Sequence, residues 1–175
     1  MADAFVNCSI KDMLCNQFNV APDYLSERIS TIFLNGKPVD SVETAIIQDG
    51  DVLALSGAMP GLVGATFRKG GALSIFRSSI THRSNEDQID KPVKGMITLK
   101  LFNLLVPEMG HLFLEKGLRI TAGDLCDAFL DKKNNLQSVL NSIYKDSAEI
   151  DMDTLFKILK DLSTKEFIRL RVKVL

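Results

Sequence analysis

The chain has no tryptophan, two histidines, two tyrosines and three cysteines in 175 residues. Cys8, Cys15 and Cys126 are odd in number and show no CxxC spacing, which argues against both a disulfide framework and a zinc site. His82 sits in a polar stretch beside Arg83, and His111 follows a predicted turn. Neither has a carboxylate or cysteine at helical ligand spacing, so no metal site is assigned and no catalytic triad is read. Asp124, Asp127 and Asp131 lie near one predicted helix face and are read as capping and solvated residues, because hard cations need more converging oxygens. An excess of charge of either sign is also missing. Lys and Arg number 21 against 22 Asp and Glu, a net charge of −1. No global field therefore drives the chain to nucleic acid or to an anionic membrane. No apolar run approaches bilayer length, and the opening MADAFVNCSIKDM lacks the pattern of a signal peptide. The expectation is a cytoplasmic protein without a cofactor.

What the chain does have is an internal near-repeat. Residues 13–40 (MLCNQFNVAPDYLSERISTIFLNGKPVD) and 124–151 (DLCDAFLDKKNNLQSVLNSIYKDSAEID) align without a gap at an offset of 111. Leu14/Leu125, Cys15/Cys126, Phe18/Phe129, Leu25/Leu136, Ile32/Ile143 and Asp40/Asp151 are identical. Asn16/Asp127, Ile29/Leu140, Phe33/Tyr144, Asn35/Asp146 and Val39/Ile150 are close. Self-similarity over this length bears on architecture before any single motif does. Cys15 and Cys126 fall at equivalent apolar positions, which makes them packing residues of a shared helix.

Periodicity and punctuation give the elements. Residues 9–18 read as a helix capped by Ser9 with Asp12 three residues on. Residues 29–34 read as a strand, Asn35-Gly36 as a hairpin turn, and 37–39 as a short extended piece. Asp49-Gly50 is a second turn before a strand at 52–55, whose two faces are both apolar and so should both be covered. Residues 57–71 are glycine-rich with an apolar middle, and 73–80 read as a further strand. The polar stretch 82–95 is the predicted linker. Beyond it, 96–105 alternate as a strand, 107–110 read as a turn, and 112–120 as a returning strand broken at Gly117. Thr121 caps a helix supported by Asp124. Residues 136–144 fit a helix by period, but the repeat favours a strand near 139–145. Residues 153–162 read as a short helix and 166–174 as the closing strand.

The order strand, strand, helix, strand, extended piece, helix, strand in 96–174 resembles the β-grasp, or ubiquitin-like, fold. In the first copy, SIKDML, TIFLNGKPVD and QDGDVLALSG resemble the small sulfur-carrier proteins of molybdopterin and thiamine synthesis. The resemblance covers about residues 9–57 and, more faintly, 96–174. It implies an α+β fold of two β-grasp-like units, each a mixed sheet packed on a helix. The first unit would be incomplete or rearranged and occupy 1–81, with 82–95 as linker and 96–175 as the second. Sulfur carriers act through an exposed terminal Gly-Gly, free of side chains so that it threads into a partner's active site. Here Leu175 ends the sequence, and Gly70-Gly71 is followed by 104 residues. A carrier role would therefore need cleavage after Gly71. The first unit lacks a leading hairpin, and residues 72–80 or a strand of a second chain are expected to complete its sheet.

Two candidate sites follow. Gly61, Gly64, Gly70 and Gly71 with Arg68 and Lys69 could cradle an anion, although they match neither the Walker loop nor the dinucleotide fingerprint. The alternative is a glycine-rich connection. Met59, Leu62 and Val63 would be poor solvated loop residues and are expected to plug the open face of the first sheet or to dock on a partner. Lys100, Arg169, Arg171 and Lys173 would share one sheet face if the first and last strands of the second unit lay side by side, giving a surface for an acidic protein. The function these features favour is a non-enzymatic binding or adaptor protein that engages a protein partner, including a second copy of itself.

Overall fold

A computed structural model describes residues 1–82 and 91–173. The fold is α+β, with a mixed sheet and several helices. Two compact units divide the chain: residues 1–118 with the stretch from 171 onward, and residues 119–170. The units part at these positions and not across 82–95. Residues 83–90 of the expected linker lie outside the described residues.

The first unit opens with β1 (Ala2–Val6), in which Ala2, Ala4 and Val6 face the core and Asp3 and Phe5 face outward. After β2 (Cys8–Ser9), the Ser9 hydroxyl accepts from the Asp12 N–H and caps α1 (Ile10–Asp12). The helix continues as a π-helical turn, Met13–Gln17. Ile10, Met13, Leu14 and Phe18 are buried from this segment. They provide the helical stripe that the sequence period requires. A second π-helical turn, Tyr24–Arg28, leads into β3 (Thr31–Leu34) and β4 (Lys37–Pro38). Between these strands Asn35 and Gly36 have φ of 50° and 77°. Positive φ at both central residues matches the right-handed twist of the hairpin strands. The Asn35 side chain accepts from Val52 N–H and donates to Asp51, tying this turn to the start of the next strand.

β5 (Ile46–Ile47) pairs with β2, and β6 (Val52–Ser56) runs antiparallel to β3. A short helix, α2 (Gly61–Phe67), and a 3₁₀ turn, Ser74–Arg77, occupy the glycine-rich stretch and its sequel. No strand forms at 73–80. The sheet is completed instead by β7 (Val93–Phe102), which lies between β1 and β6. It runs antiparallel to β1, with Ala2 opposite Ile97, and parallel to β6, with Leu53 opposite Leu99. The place expected for residues 72–80 or a second chain is thus filled by a strand assigned from sequence to the other unit. Ile97, Leu99 and Leu101 turn inward to the core beside α1.

Residues 105–116 form α3 (Leu105–Lys116), not a turn and a strand. Pro107 stands in the first turn, where its missing N–H would have no intrahelical partner anyway. Leu105, Met109 and Phe113 are buried at four-residue intervals, and Phe113 packs on Phe18 with ring centroids 5.0 Å apart. Gly117, at φ 100°, ends the helix. Leu118, the first residue of β8 (Leu118–Thr121), pairs with Ala2.

The second unit has its own small core of Ala122, Leu125 and Leu159, with Cys126, Phe129 and Ile168 packed against it. Thr121 caps α4 (Ala122–Asp131) by accepting from Asp124 N–H. α5 (Lys133–Val139) follows, then the hairpin β9 (Ile143–Lys145) and β10 (Ala148–Ile150). This hairpin forms a two-stranded sheet of its own. α6 (Met152–Asp161) is capped by Asp151, and β11 (Phe167–Leu170) neighbours β8. The closing strand is thus shorter than 166–174, of which Val174 lies outside the described residues. The expected leading hairpin at 96–120 is absent from this unit, since β7 and α3 belong to the first.

Candidate functional site

The sheet of the first unit has two unlike faces. Leu34, Leu53 and Leu55 point to the core under α1, and Ile32 joins them there. The opposite side is lined by Thr31 and Phe33 of β3, Val52, Ala54 and Ser56 of β6, and Lys100 and Phe102 of β7, as strand alternation requires. Register sets Phe33 opposite Ala54, and Ala54 opposite Lys100. The next row is Thr31, Ser56 and Phe102. α2 covers part of this face, with the Phe67 ring 5.3 Å from Phe33. Beside it lies a groove of about 350 Å³, walled by Phe33, Val52, Ala54, Met59 and Phe102, with Ser56 and Lys100 also lining it.

The structure therefore brings together Met59 and Lys100, which the sequence placed in separate surfaces. It does not assemble the other cations with them. β7 has β1 and β6 as neighbours, so the expected pairing of the 96–105 strand with the closing strand is not made. Arg171 Nε donates to the Glu115 carbonyl at 2.7 Å. Arg169 lies on β11, and Lys173 is exposed beyond its end.

The glycine-rich stretch is built around an internal anion. Arg77 is 2% exposed and forms a two-point ion pair with Asp40, with N–O distances of 2.6 and 3.1 Å. Its Nε donates to the Thr66 carbonyl, and its other nitrogens reach Thr81 Oγ1 and the Arg68 carbonyl. Gly70 N–H also donates to Asp40, at 3.1 Å. Lys69 N–H bonds the Ser30 carbonyl and Lys69 Nζ the Leu25 carbonyl, and burial lowers the pKa of that amine. Of the residues expected to cradle an anion, Gly70 thus donates to the chain's own carboxylate. Arg68 remains exposed. A Cβ on Gly64 would come within 2.0 Å of the Met59 carbonyl oxygen, so close packing requires glycine there.

Beyond α2 the surface is apolar. Leu62 and Val63 point outward, Leu62 at 75% exposure, and Ile75 and Phe76 of the 3₁₀ turn join them, Phe76 at 78%. A separate polar cluster joins the second π turn to α3. The Tyr24 hydroxyl donates to Glu108 at 2.6 Å, and Arg28 pairs with the same carboxylate. Arg28 first, and Tyr24 second, hold the Glu108 pKa down at about 2. Burial and then Glu108 push Tyr24 up to about 12. Burial raises the Cys8 and Cys15 thiols, which keeps them protonated and poorly nucleophilic. His82 N–H bonds the Pro38 carbonyl, and burial lowers its imidazole pKa; His111 is exposed on α3.

Among the described residues no three His, Cys, Asp or Glu side chains group as a metal site would need, and no helix is long and apolar enough to cross a membrane. Comparison with protein-family models, with curated proteins and with solved structures returned no match.

The site residues that sequence reasoning missed are Arg77, Asp40, Ser56, Phe33 and Phe102. Phe33 and Ser56 had a usable signal, since the strand at 52–55 was apolar on both faces and something had to cover the second. Arg77 had none, because its segment read as a strand.

Proposed function

We propose that the chain is a non-enzymatic, intracellular binding module whose first unit is a β-grasp in permuted order. In that fold the first and last strands lie side by side and parallel. β7 would take the place of the first strand although it comes last in the unit, and β1 would be its hairpin partner. The mixed sheet, the helix on one face and the Asn-Gly hairpin support this reading. The second unit would be a diverged relative: helix, helical turn and hairpin recur at the offset of 111, and Asp146 and Ser147 share the positive φ of Asn35 and Gly36.

The observation that carries the binding role is the outward-facing Leu62, Val63, Ile75 and Phe76 on neighbouring turns of one segment. Contiguous exposed apolar side chains of this size mark interaction surfaces in soluble proteins. The partner is a protein, and a second copy of the chain is the first one to test. Multi-angle light scattering across a concentration series should give a mass that rises above the monomer, and Leu62→Lys with Phe76→Lys should abolish the rise. If the wild type stays monomeric, cross-linking in native cells decides. A set of cross-linked proteins unchanged by the two lysines overturns the proposal.

A further inference from the structure

The groove on the open sheet face contains one chemically incomplete group. Ser56 is 5% exposed, and its Oγ has no hydrogen-bond partner. A hydroxyl removed from water and left unpaired is costly, and such groups in native proteins call for an explanation. Thr31, directly opposite in the register, is in the same condition. Near them Lys100 is exposed on β7, and among the described residues its amine forms none of the ion pairs. Ser56 pairs with Phe102, and Lys100 lies two residues along the same face. Strand spacing and rise put the Cα atoms of Ser56 and Lys100 roughly 8 Å apart. A four-carbon lysine stem spans that distance, so its ammonium and the serine hydroxyl can meet on one small polar group.

We propose that this groove binds a small organic carboxylate with an apolar body. The body lies against Phe33, Met59 and Phe102. The carboxylate takes the Lys100 ammonium and a hydrogen bond donated by Ser56 Oγ. The groove's size falls within the range of small-molecule sites, which are mostly apolar with a few placed polar groups. A single anionic charge fits better than a phosphate. Among its lining residues Lys100 is the one cation and Ser56 the one hydroxyl, with Asn103 the other polar side chain, and the N–H groups of β3, β6 and β7 beneath it belong to sheet ladders. An added peptide strand is excluded for the same reason, because β3, β6 and β7 are each paired on both sides. The groove and the outward patch share no lining residue, because Leu62, Val63, Ile75 and Phe76 all lie outside the groove, so either proposal can fail alone.

The test is a titration of the full chain, followed by amide NMR shifts and calorimetry, with octanoate and 3-phenylpropanoate. Octylammonium and octanol serve as controls. Saturable shifts at Ser56, Lys100 and Phe102 are expected with the two acids only. Ser56→Ala and Lys100→Gln should each weaken binding at least fivefold. Ser56→Ala should also raise the melting temperature of the free chain, since it removes a buried hydroxyl with no partner. That opposite sign separates a ligand group from a structural one. No saturable binding by either acid, equal binding of octylammonium, or affinity unchanged in both variants overturns the proposal. A lower melting temperature for free Ser56→Ala also overturns it, because the hydroxyl would then be serving the fold.

Discussion

Arg77 carries its charge at 2% exposure, and Asp40 is its counter-ion. Desolvating a guanidinium is expensive, so removing the anion alone leaves an uncompensated buried charge, which typically costs about 3–5 kcal/mol. Asp40 itself is partly exposed, which places the expected loss for Asp40→Ala near the lower end, about 3 kcal/mol. Arg77→Met should cost less, because the carboxylate it frees can hydrate. The double variant should recover part of the Asp40→Ala loss. Urea denaturation of the four chains gives the coupling directly. A second residue-scale prediction concerns pH. Glu108 titrates near 2 in the fold against an ordinary value of 4.5, so its contribution to stability is complete above about 4.5 and is lost as pH falls toward 2. Tyr24 has the opposite sign. Its raised pKa of about 12 stabilises the fold below pH 10, and that contribution is lost as pH rises through 12. Melting temperatures between pH 5 and 2 should fall less steeply for Glu108→Gln than for the wild type.

At the scale of elements, the hairpins show what a repeat can reveal. Asn35-Gly36 and Asp146-Ser147 occupy the same two positive-φ positions, but Ser147 sits at φ 73° with a Cβ that Gly36 lacks. The left-handed region costs a non-glycine residue about 1–2 kcal/mol. Ser147→Gly should therefore stabilise the second unit by about 1 kcal/mol, less the entropy glycine adds to the unfolded chain. Thermal unfolding monitored in that unit is the measurement, and an unchanged or lower midpoint would count against equivalence of the two turns. Elements with a clean period or cap were legible in the sequence: the Ser9 and Thr121 caps, the Asn35-Gly36 hairpin, β6, β7 and α6. Near 139–145 both signals were right in turn, for α5 ends at Val139 and β9 begins at Ile143. α3 was missed because Pro107 was read as a turn, whereas a first-turn proline is compatible with the stripe Leu105, Met109 and Phe113. α2 was missed because its glycines signalled a loop, although Gly64 is there to let the chain pass Met59. Of the groove, Met59 and Lys100 were legible as unusual residues. Phe33 and Ser56 carried only the signal that the second face of β6 had to be covered, and Phe102 carried none, since its place beside Ser56 depends on β7 entering the sheet between β6 and β1.

That insertion governs the molecule as a whole. β1 takes β7 as its partner along its full length, and β6 would become an open edge without it. Residue 2 thus waits on residue 97, a long-range pairing that folds late because the loop between them must close first. Cleavage after Gly71, as a sulfur-carrier role would require, removes β7 and α3 from the covalent unit. It also leaves Asp40 on one fragment and Arg77 on the other. The N-terminal piece would expose Leu53 and Leu55 on a hydrophobic edge strand, a template for aggregation. Expressed alone, residues 1–71 should therefore be insoluble or lack a cooperative melting transition. Coexpression with 72–175 should restore a soluble complex in which both pieces copurify, because the β1–β7 and β6–β7 ladders need no chain connection at 71. Circular dichroism and size exclusion distinguish the outcomes. A fragment 1–71 that folds cooperatively by itself would show that β7 is dispensable, and would return the Gly70-Gly71 terminus to consideration as a working tail.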